Sequence, residues 1–341
     1  MTTEPLDAFI ARLPKVELHV HLEGSLRPRT LRELARRKNR AVREIDDWIV
    51  KREREGYRYR NFQGFLDAFT LVVLLLERPE DYRLAALDLA EWLAEQNVRY
   101  AEVTHSAGVV VWKGQPLEPF AEALFAASAE AEARRGVRLR WIFDAVRQFG
   151  VGHTRQVLRA AAPFRERGVV AFSIGGDEVK GPAKDFAEIF REARDLGFHT
   201  TAHAGETAGP ESVRAAVETL GAERIGHGTS AARNAEVLAL LGERGVALEV
   251  CPTSNVSTGV VASFEEHPLP VFLERGLRVT LNSDDPALFG TCLEEEFRRA
   301  ARAFALGRGQ VAALCENAIR AAFVEEDFRE KLLRELREAA A

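Results

Sequence analysis

From Pro14 to Ser25 the chain reads PKVELHVHLEGS, with Val16, Leu18 and Val20 alternating with Glu17, His19 and His21. A period of two predicts a strand with two unlike faces, so both imidazoles project from one face. A second apolar strand, VRYAEVTHS, is predicted over 98–106. Beyond it helix and strand alternate regularly. Helices over 118–135, 153–167, 183–195, 210–220, 234–244 and 268–275 run into Gly136, Gly168, Gly197, Gly221, Gly245 and Gly276. Strands follow over 137–146, 169–176, 198–206, 224–228, 246–255 and 277–286. Glycine is the residue that best tolerates the left-handed conformation closing a helix, so each glycine marks a helix end. Eight strands separated by helices predict an α/β fold, a (β/α)8 TIM barrel.

The excursion over 26–97 falls between the first two strands, which predicts a helical lid over the C-terminal mouth of the barrel. It contains a basic amphipathic helix over 29–40, a charged loop at Arg58–Arg60, and a helix from Pro79 to Gln96. Between them Phe62, Phe65, Leu66 and Phe69 fall at i, i+3, i+4 and i+7, one face of a further helix, which by itself reads as core packing. Residues 292–341 add C-terminal helices outside the barrel, broken mainly at LGRGQ. No Ser/Gly-rich or Pro-rich linker divides the chain, so 1–341 is read as a single barrel domain with insertions.

Composition narrows the function classes. Apolar residues at 46% and charged residues at 29% suit a soluble protein with a large core. A net charge of −5 offers no electrostatic footprint for nucleic acid. The longest aliphatic run, Leu71 to Leu76, is far short of a membrane span, and no stretch reads as a signal peptide, so a cytoplasmic protein is expected. Three cysteines without a C-x-x-C pair suggest neither a disulfide framework nor a thiolate zinc cluster. An oligomer is possible, but no feature indicates one.

Polar residues collect at the carboxyl ends of the strands, where barrel enzymes place their chemistry. His19 and His21 end the first strand, His203 and Glu206 follow the fifth, His227 ends the sixth, and Asp284 and Asp285 end the eighth. A lone His-x-His is a weak signal, but a third imidazole from another strand supplies what the pair lacks. Asp284 and Asp285 before Pro286 could cap a helix; adjacent carboxylates at a strand end also suit one metal ligand and one hydrogen-bond acceptor. His227 lies between Gly226 and Gly228, where backbone can approach a ligand closely. His105, His153, His199 and His267 read as structural or solvated. The site expected is one Zn²⁺ bound by three histidines and one aspartate, with water as the source of the nucleophile. A dinuclear site would want Lys or Glu at the end of the fourth strand, which instead reads Ser173-Ile174-Gly175-Gly176.

PKVELHVHLEGS, GGDE (175–178), HAGETAGPES (203–212), ERIGHG (223–228), CPTSN (251–255) and LNSDDP (281–286) resemble, in order, the motifs of the adenosine deaminase family, zinc-dependent barrels of the amidohydrolase type. The resemblance runs from Pro14 to about Phe289. It implies that His19, His21, His203 and Asp284 bind zinc, and that Glu206 donates a proton to purine N1 as hydroxide attacks C6. It further implies that His227 and Asp285 position and help deprotonate the attacking water, Asp285 also hydrogen-bonding with N7. The Gly176 amide would hold the N3 side of the purine, and Phe65, Leu66 and Phe69 would form an apolar gate over the substrate.

Two positions depart from the adenosine-specific pattern. Glu23 stands where those members usually carry Asp near the ribose 5′-hydroxyl, and Ser173-Ile174 stands where they carry Asp-Leu. The substrate expected is a small purine, adenosine or 2′-deoxyadenosine first. A 5′-modified adenosine such as aminodeoxyfutalosine, or free adenine, is the alternative. A non-catalytic purine-binding barrel would need a missing ligand or acid. A zinc hydrolase acting on an ester or lactam would leave Glu206 and Gly176 without evident use. His21-Leu22-Glu23 matches half of the cytidine-deaminase zinc signature, but its P-C-x-x-C half is absent from the sequence.

Overall fold

In the computed structural model, which describes residues 4–38 and 42–341, the predicted alternation becomes eight parallel strands paired in chain order. They are β1 (Lys15–His21), β2 (Val98–His105), β3 (Arg138–Val146), β4 (Val169–Gly175), β5 (His199–Ala204), β6 (Arg224–His227), β7 (Ala247–Val250) and β8 (Val279–Leu281). Val103 of β2 pairs with Val20 on one side and with Trp141 on the other, which brings the strand ends of β1 to β3 to one rim. All six helix-ending glycines have positive φ.

Where β1 meets β8 the barrel closes through side chains and single backbone bonds. The Leu18 amide donates to Asn282 Oδ1 (3.0 Å) and the Ser283 amide to Glu17 Oε1 (2.8 Å). The Asp284 amide donates to the His19 carbonyl (2.9 Å), and the His21 amide to the Asp284 carbonyl (2.8 Å). On the outside, helix Arg308–Ala321 packs over both strands, so this C-terminal helix belongs to the barrel's outer ring.

Several elements differ from expectation for local reasons. The seventh and eighth strands are shorter than predicted: Pro252 opens a helical turn (Pro252–Ser257), and Asp284 turns left-handed with φ 63°. The helix predicted over 153–167 is Val151–Ala161 followed by a 3₁₀ stretch, because Pro163 has no amide to continue the ladder. Helix Val42–Arg54 was not anticipated: its apolar stripe is only Ile45, Trp48 and Ile49 among charged residues, with Ile49 alone fully buried. The helix expected over 29–40 is Pro28–Arg37; positions 39 and 40 lie outside the described residues.

Only part of the 26–97 excursion covers the mouth. Helix Phe62–Val73 does, its first turn capped by Asn61 Oδ1 accepting from the Gly64 amide (3.0 Å). Helix Pro79–Glu95 instead buries Tyr82, Ala85, Ala86, Leu89, Ala90 and Leu93 and packs beside helix Glu118–Arg135 and β2, as a member of the ring. Among the described residues, no helix is long and apolar enough to cross a membrane.

Candidate active site

The strand register delivers His19 and His21 from β1 and His203 from β5, and the closing seam delivers Asp284. One ligand atom from each of these four residues lies within 4.8 Å of all the others. His21 Nε2 is 3.2 Å from His203 Nε2 and 3.3 Å from Asp284 Oδ1, which is 3.5 Å from His19 Nε2. Ligand atoms about 2.1 Å from a tetrahedral ion lie about 3.4 Å apart, so these separations match the edges of such a polyhedron. His19 Nε2 is buried and has no hydrogen-bond partner among the described residues.

The protein's own charges ask for a cation here. Burial pulls the pKa of His19 down, but the carboxylates of Asp284 and Glu249 outweigh it and push it up to about 10, so a cation at Nε2 would take the place of a proton. Burial would raise the Asp284 carboxyl, yet His19 and His21 hold it well below the usual range. Burial, reinforced by the neighbouring histidines, keeps His203 uncharged, as a metal ligand requires. A second grouping, His227, Cys251 and Asp284, shares Asp284, and burial raises the Cys251 thiol well above its ordinary pKa; it is an extension of the same cluster.

Residues that the sequence did not single out hold the cluster in place. Glu249, in the middle of β7, accepts from His19 Nδ1 (2.8 Å), which leaves the Nε2 lone pair facing the other ligands. The other carboxylate oxygen of Glu249 meets Nε of the fully buried Arg224 (2.6 Å), whose guanidinium also bridges to Glu102. Arg147 Nη2 donates to the His203 carbonyl (2.6 Å) and braces the end of β5. A charged residue inside an otherwise apolar strand, as in Val-Ala-Leu-Glu249-Val, was the available signal.

Glu206 follows β5 on a turn organised by Glu178, whose carboxylate accepts from the amides of Gly205 (2.8 Å), Glu206 (2.9 Å) and Thr207 (2.8 Å). Burial first, then the charges of Asp284 and Glu178, raises the Glu206 carboxyl well above its ordinary pKa, which favours its protonated form. Its Oε2 lies 3.7 Å from His227 Nε2. Asp285 is likewise raised, by burial and then by Asp284, and one of its oxygens is buried without a partner.

His227, at φ 64°, is one of two non-glycine site residues in left-handed backbone, the other being Asp284. Its tautomer follows from a chain of contacts. The Leu269 amide donates to His267 Nδ1 (3.1 Å), so neutral His267 carries its proton on Nε2 and gives it to Asn255 Oδ1 (3.2 Å). Burial holds His267 down to about 4, which keeps it neutral. Asn255 therefore turns its amide nitrogen to His227 Nδ1 (3.0 Å), and neutral His227 presents Nε2–H to the site. Burial lowers His227 to about 3.

A cavity of about 400 Å³ opens above the cluster. His21, His203, Glu206, His227, Asp284 and Asp285 line its floor, Gly176 its side, and Phe62, Phe65, Leu66 and Phe69 its roof. Gly176 has φ 95°, and a Cβ there would stand 2.2 Å from Gln148 Oε1, so only glycine keeps this wall. Phe69 meets the His21 ring edge-on at 6.4 Å. Asp144, at the end of β3, was not expected: it lines the cavity with one oxygen buried and unpartnered, and burial raises it to about 7. Glu23 does not line the cavity. It is fully buried, and its Oε1 accepts from His105 Nδ1 (3.1 Å) and the Ser106 amide (3.0 Å). Next to it, a Cβ on Gly24 would fall 1.7 Å from Asp285 Oδ1, so this turn is pressed against the site.

Residues 14–339 match the family described as Adenosine deaminase. A Streptomyces avermitilis protein named aminodeoxyfutalosine deaminase is 40% identical over 337 residues, covering 98% of this chain and 93% of its own. An adenosine deaminase of Clostridium perfringens is 33% identical over 324 residues, covering 95% of this chain and 98% of its own. Among solved structures, a Burkholderia ambifaria amidohydrolase with bound Zn superposes with a TM-score of 0.88 at 29% identity, covering 100% of this chain and 95% of that one.

Proposed function

This chain belongs to the adenosine deaminase family, and from that premise we propose that it hydrolyses the 6-amino group of a 5′-substituted adenosine, using one Zn²⁺ held by His19, His21, His203 and Asp284. Hydrolytic deamination of an adenosine-like purine is the activity of the family; the substituent and the single zinc are our reading.

When bound, the metal supplies Lewis acidity that makes water nucleophilic at neutral pH. The rest of the chemistry falls to side chains. Addition of an oxygen at C6 builds negative charge on N1, and protonated Glu206 neutralises it as a general acid. Neutral His227 directs its Nε2–H at the attacking oxygen, which makes it a hydrogen-bond donor there and leaves Asp285, ionised beside the bound cation and made more basic by burial, to accept the water's proton. This assignment narrows the roles that the resemblance gave jointly to His227 and Asp285. Asp285 and the Gly176 amide orient the ring, and Phe65, Leu66 and Phe69 exclude water. The amine leaves as ammonia once protonated, and the 6-oxopurine remains.

The observation that carries the 5′-substituted reading is the placement of Glu23. Its Oε1 is committed to His105 and Ser106, and its unpartnered Oε2 is buried away from the residues that line the cavity, so a 5′-hydroxyl in the cavity meets no acceptor from Glu23. The Streptomyces relative, by its name, acts on aminodeoxyfutalosine, a 5′-modified adenosine. Unmodified adenosine or 2′-deoxyadenosine is the second reading, supported by the Clostridium relative. Ammonia release from aminodeoxyfutalosine, adenosine, 2′-deoxyadenosine, adenine and AMP tests the choice. We expect kcat/KM for aminodeoxyfutalosine to exceed that for adenosine by at least about 10-fold; the reverse order would overturn it.

A further inference from the structure

At the mouth of the cavity, away from the buried cluster, the wall changes character. Trp112 ends helix Ala107–Trp112 and is 63% exposed. Its ring stacks on Phe149, with centroids 5.5 Å apart and planes 16° apart, and Phe149 meets His153 edge-on. Leu74, 48% exposed, continues the apolar rim. A large apolar surface left in water beside a binding cavity marks a place where a ligand completes the burial.

Two lysines line the same wall. Lys180 is paired with Asp177 at 3.1 Å. Lys113 is half-buried, and its Nζ reaches only the carbonyls of Val73 (3.5 Å) and Leu76 (3.3 Å), both long contacts. Among the described residues no carboxylate lies within ion-pair distance of it. Burial lowers its pKa, outweighing the more distant carboxylates of Glu77 and Glu23.

The direction of the substrate follows from its own chemistry. C6 must reach the floor, where His21, His203 and Asp284 lie. The sugar leaves from N9, on the opposite side of the bicyclic base, so its 5′ carbon points to the mouth. We propose that Trp112, Phe149 and Lys113 form a subsite for an aromatic carboxylate carried at the 5′ position of the substrate nucleoside. The proposal rests on the deaminase reading above and specifies the substituent. The aryl ring takes the exposed faces of the Trp112–Phe149 pair, and the carboxylate takes Lys113 from its two carbonyls in a charge-assisted hydrogen bond.

The test uses the metal-loaded enzyme with three nucleosides: adenosine, aminodeoxyfutalosine with its free aryl carboxylate, and the corresponding carboxamide. The acid should exceed the carboxamide in kcat/KM by about 10- to 100-fold. Lys113→Met should bring that ratio to within about 2-fold of one, and Lys113→Arg should restore it, which a merely structural role would not do. Trp112→Ala should lower both aryl substrates relative to adenosine by about 10-fold. Equal rates on acid and carboxamide in the wild type, or a preference that survives Lys113→Met, would overturn the subsite and leave the deaminase reading intact. Absence of deamination on all three nucleosides would sink the reading beneath it.

Discussion

His19 and Glu249 face each other across the inside of the barrel, Nδ1 to Oε2 at 2.8 Å, with neither side chain more than 3% exposed. The carboxylate fixes the ring's proton on Nδ1 and so leaves Nε2 for the proposed metal, while Arg224 holds the other end of Glu249. Glu249→Gln keeps the shape and removes the charge. We expect metal affinity to fall about 10- to 100-fold, measured by competition with a chelator, and activity to recover substantially at saturating zinc. An unchanged affinity would show that Glu249 does not tune the ligand.

Glu206→Gln should retain metal and nucleoside binding but lose about 10²- to 10⁴-fold in kcat, because only the transferable proton is removed. Equilibrium binding of the 6-oxopurine product, followed alongside turnover, separates the two effects. A kcat within a few-fold of the parent would assign the acid elsewhere.

Asn255→Asp should reverse the hydrogen bond to His227. An aspartate oxygen accepts where the amide donated, which moves the imidazole proton to Nδ1 and removes the Nε2–H donor from the site. A loss of about 10²-fold in kcat with little change in KM is expected, accompanied by exchange of the two ¹⁵N shifts of the His227 ring. Unmoved shifts would refute the relay from Leu269 through His267.

Lys15 gives a pH dependence independent of the metal site. Its ammonium is buried beneath the barrel, donating to the carbonyls of Leu13 (3.0 Å) and Gln96 (3.0 Å), and burial lowers its pKa from 10.5 to about 8. Between about 8 and 10.5 the unfolded chain holds a proton that the folded chain has lost, so this group's contribution to stability rises with pH across that window. The rise is worth about 3 kcal/mol. Denaturant unfolding of the parent and Lys15→Met should therefore diverge above pH 8, the parent alone gaining; parallel profiles would contradict the assignment.

Much of this architecture was legible because it depends on local periodicity. The two-residue alternation ending in His19 and His21, and the glycines that close the helices, are properties of neighbours in the chain, and they placed the strand ends and hence the four candidate ligands. What escaped depends on partners distant in sequence. Asn255 was placed at the end of the seventh strand and His267 was read as structural or solvated, because their meaning lies in one contact each, on His227 and on Asn255. Glu23 was read as facing substrate, since a position two residues after His21 does not reveal that His105 is 3.1 Å away. The lid was drawn too large because the Pro79–Glu95 helix is amphipathic in either location, and only its packing beside Glu118–Arg135 decides which.

The closing seam has a consequence for how the protein is made. Asp284 joins the last strand to the first and is also the last in sequence of the four proposed ligands, so both jobs await the same late residue. While a ribosome is still short of that point, the nascent chain carries three histidines, an open sheet edge and no fourth ligand. If these four residues bind the metal as proposed, strong metal capture would be withheld from unfinished chains, and an ion gripped at all four positions would report that translation has passed residue 284 and that the two ends of the sheet have met.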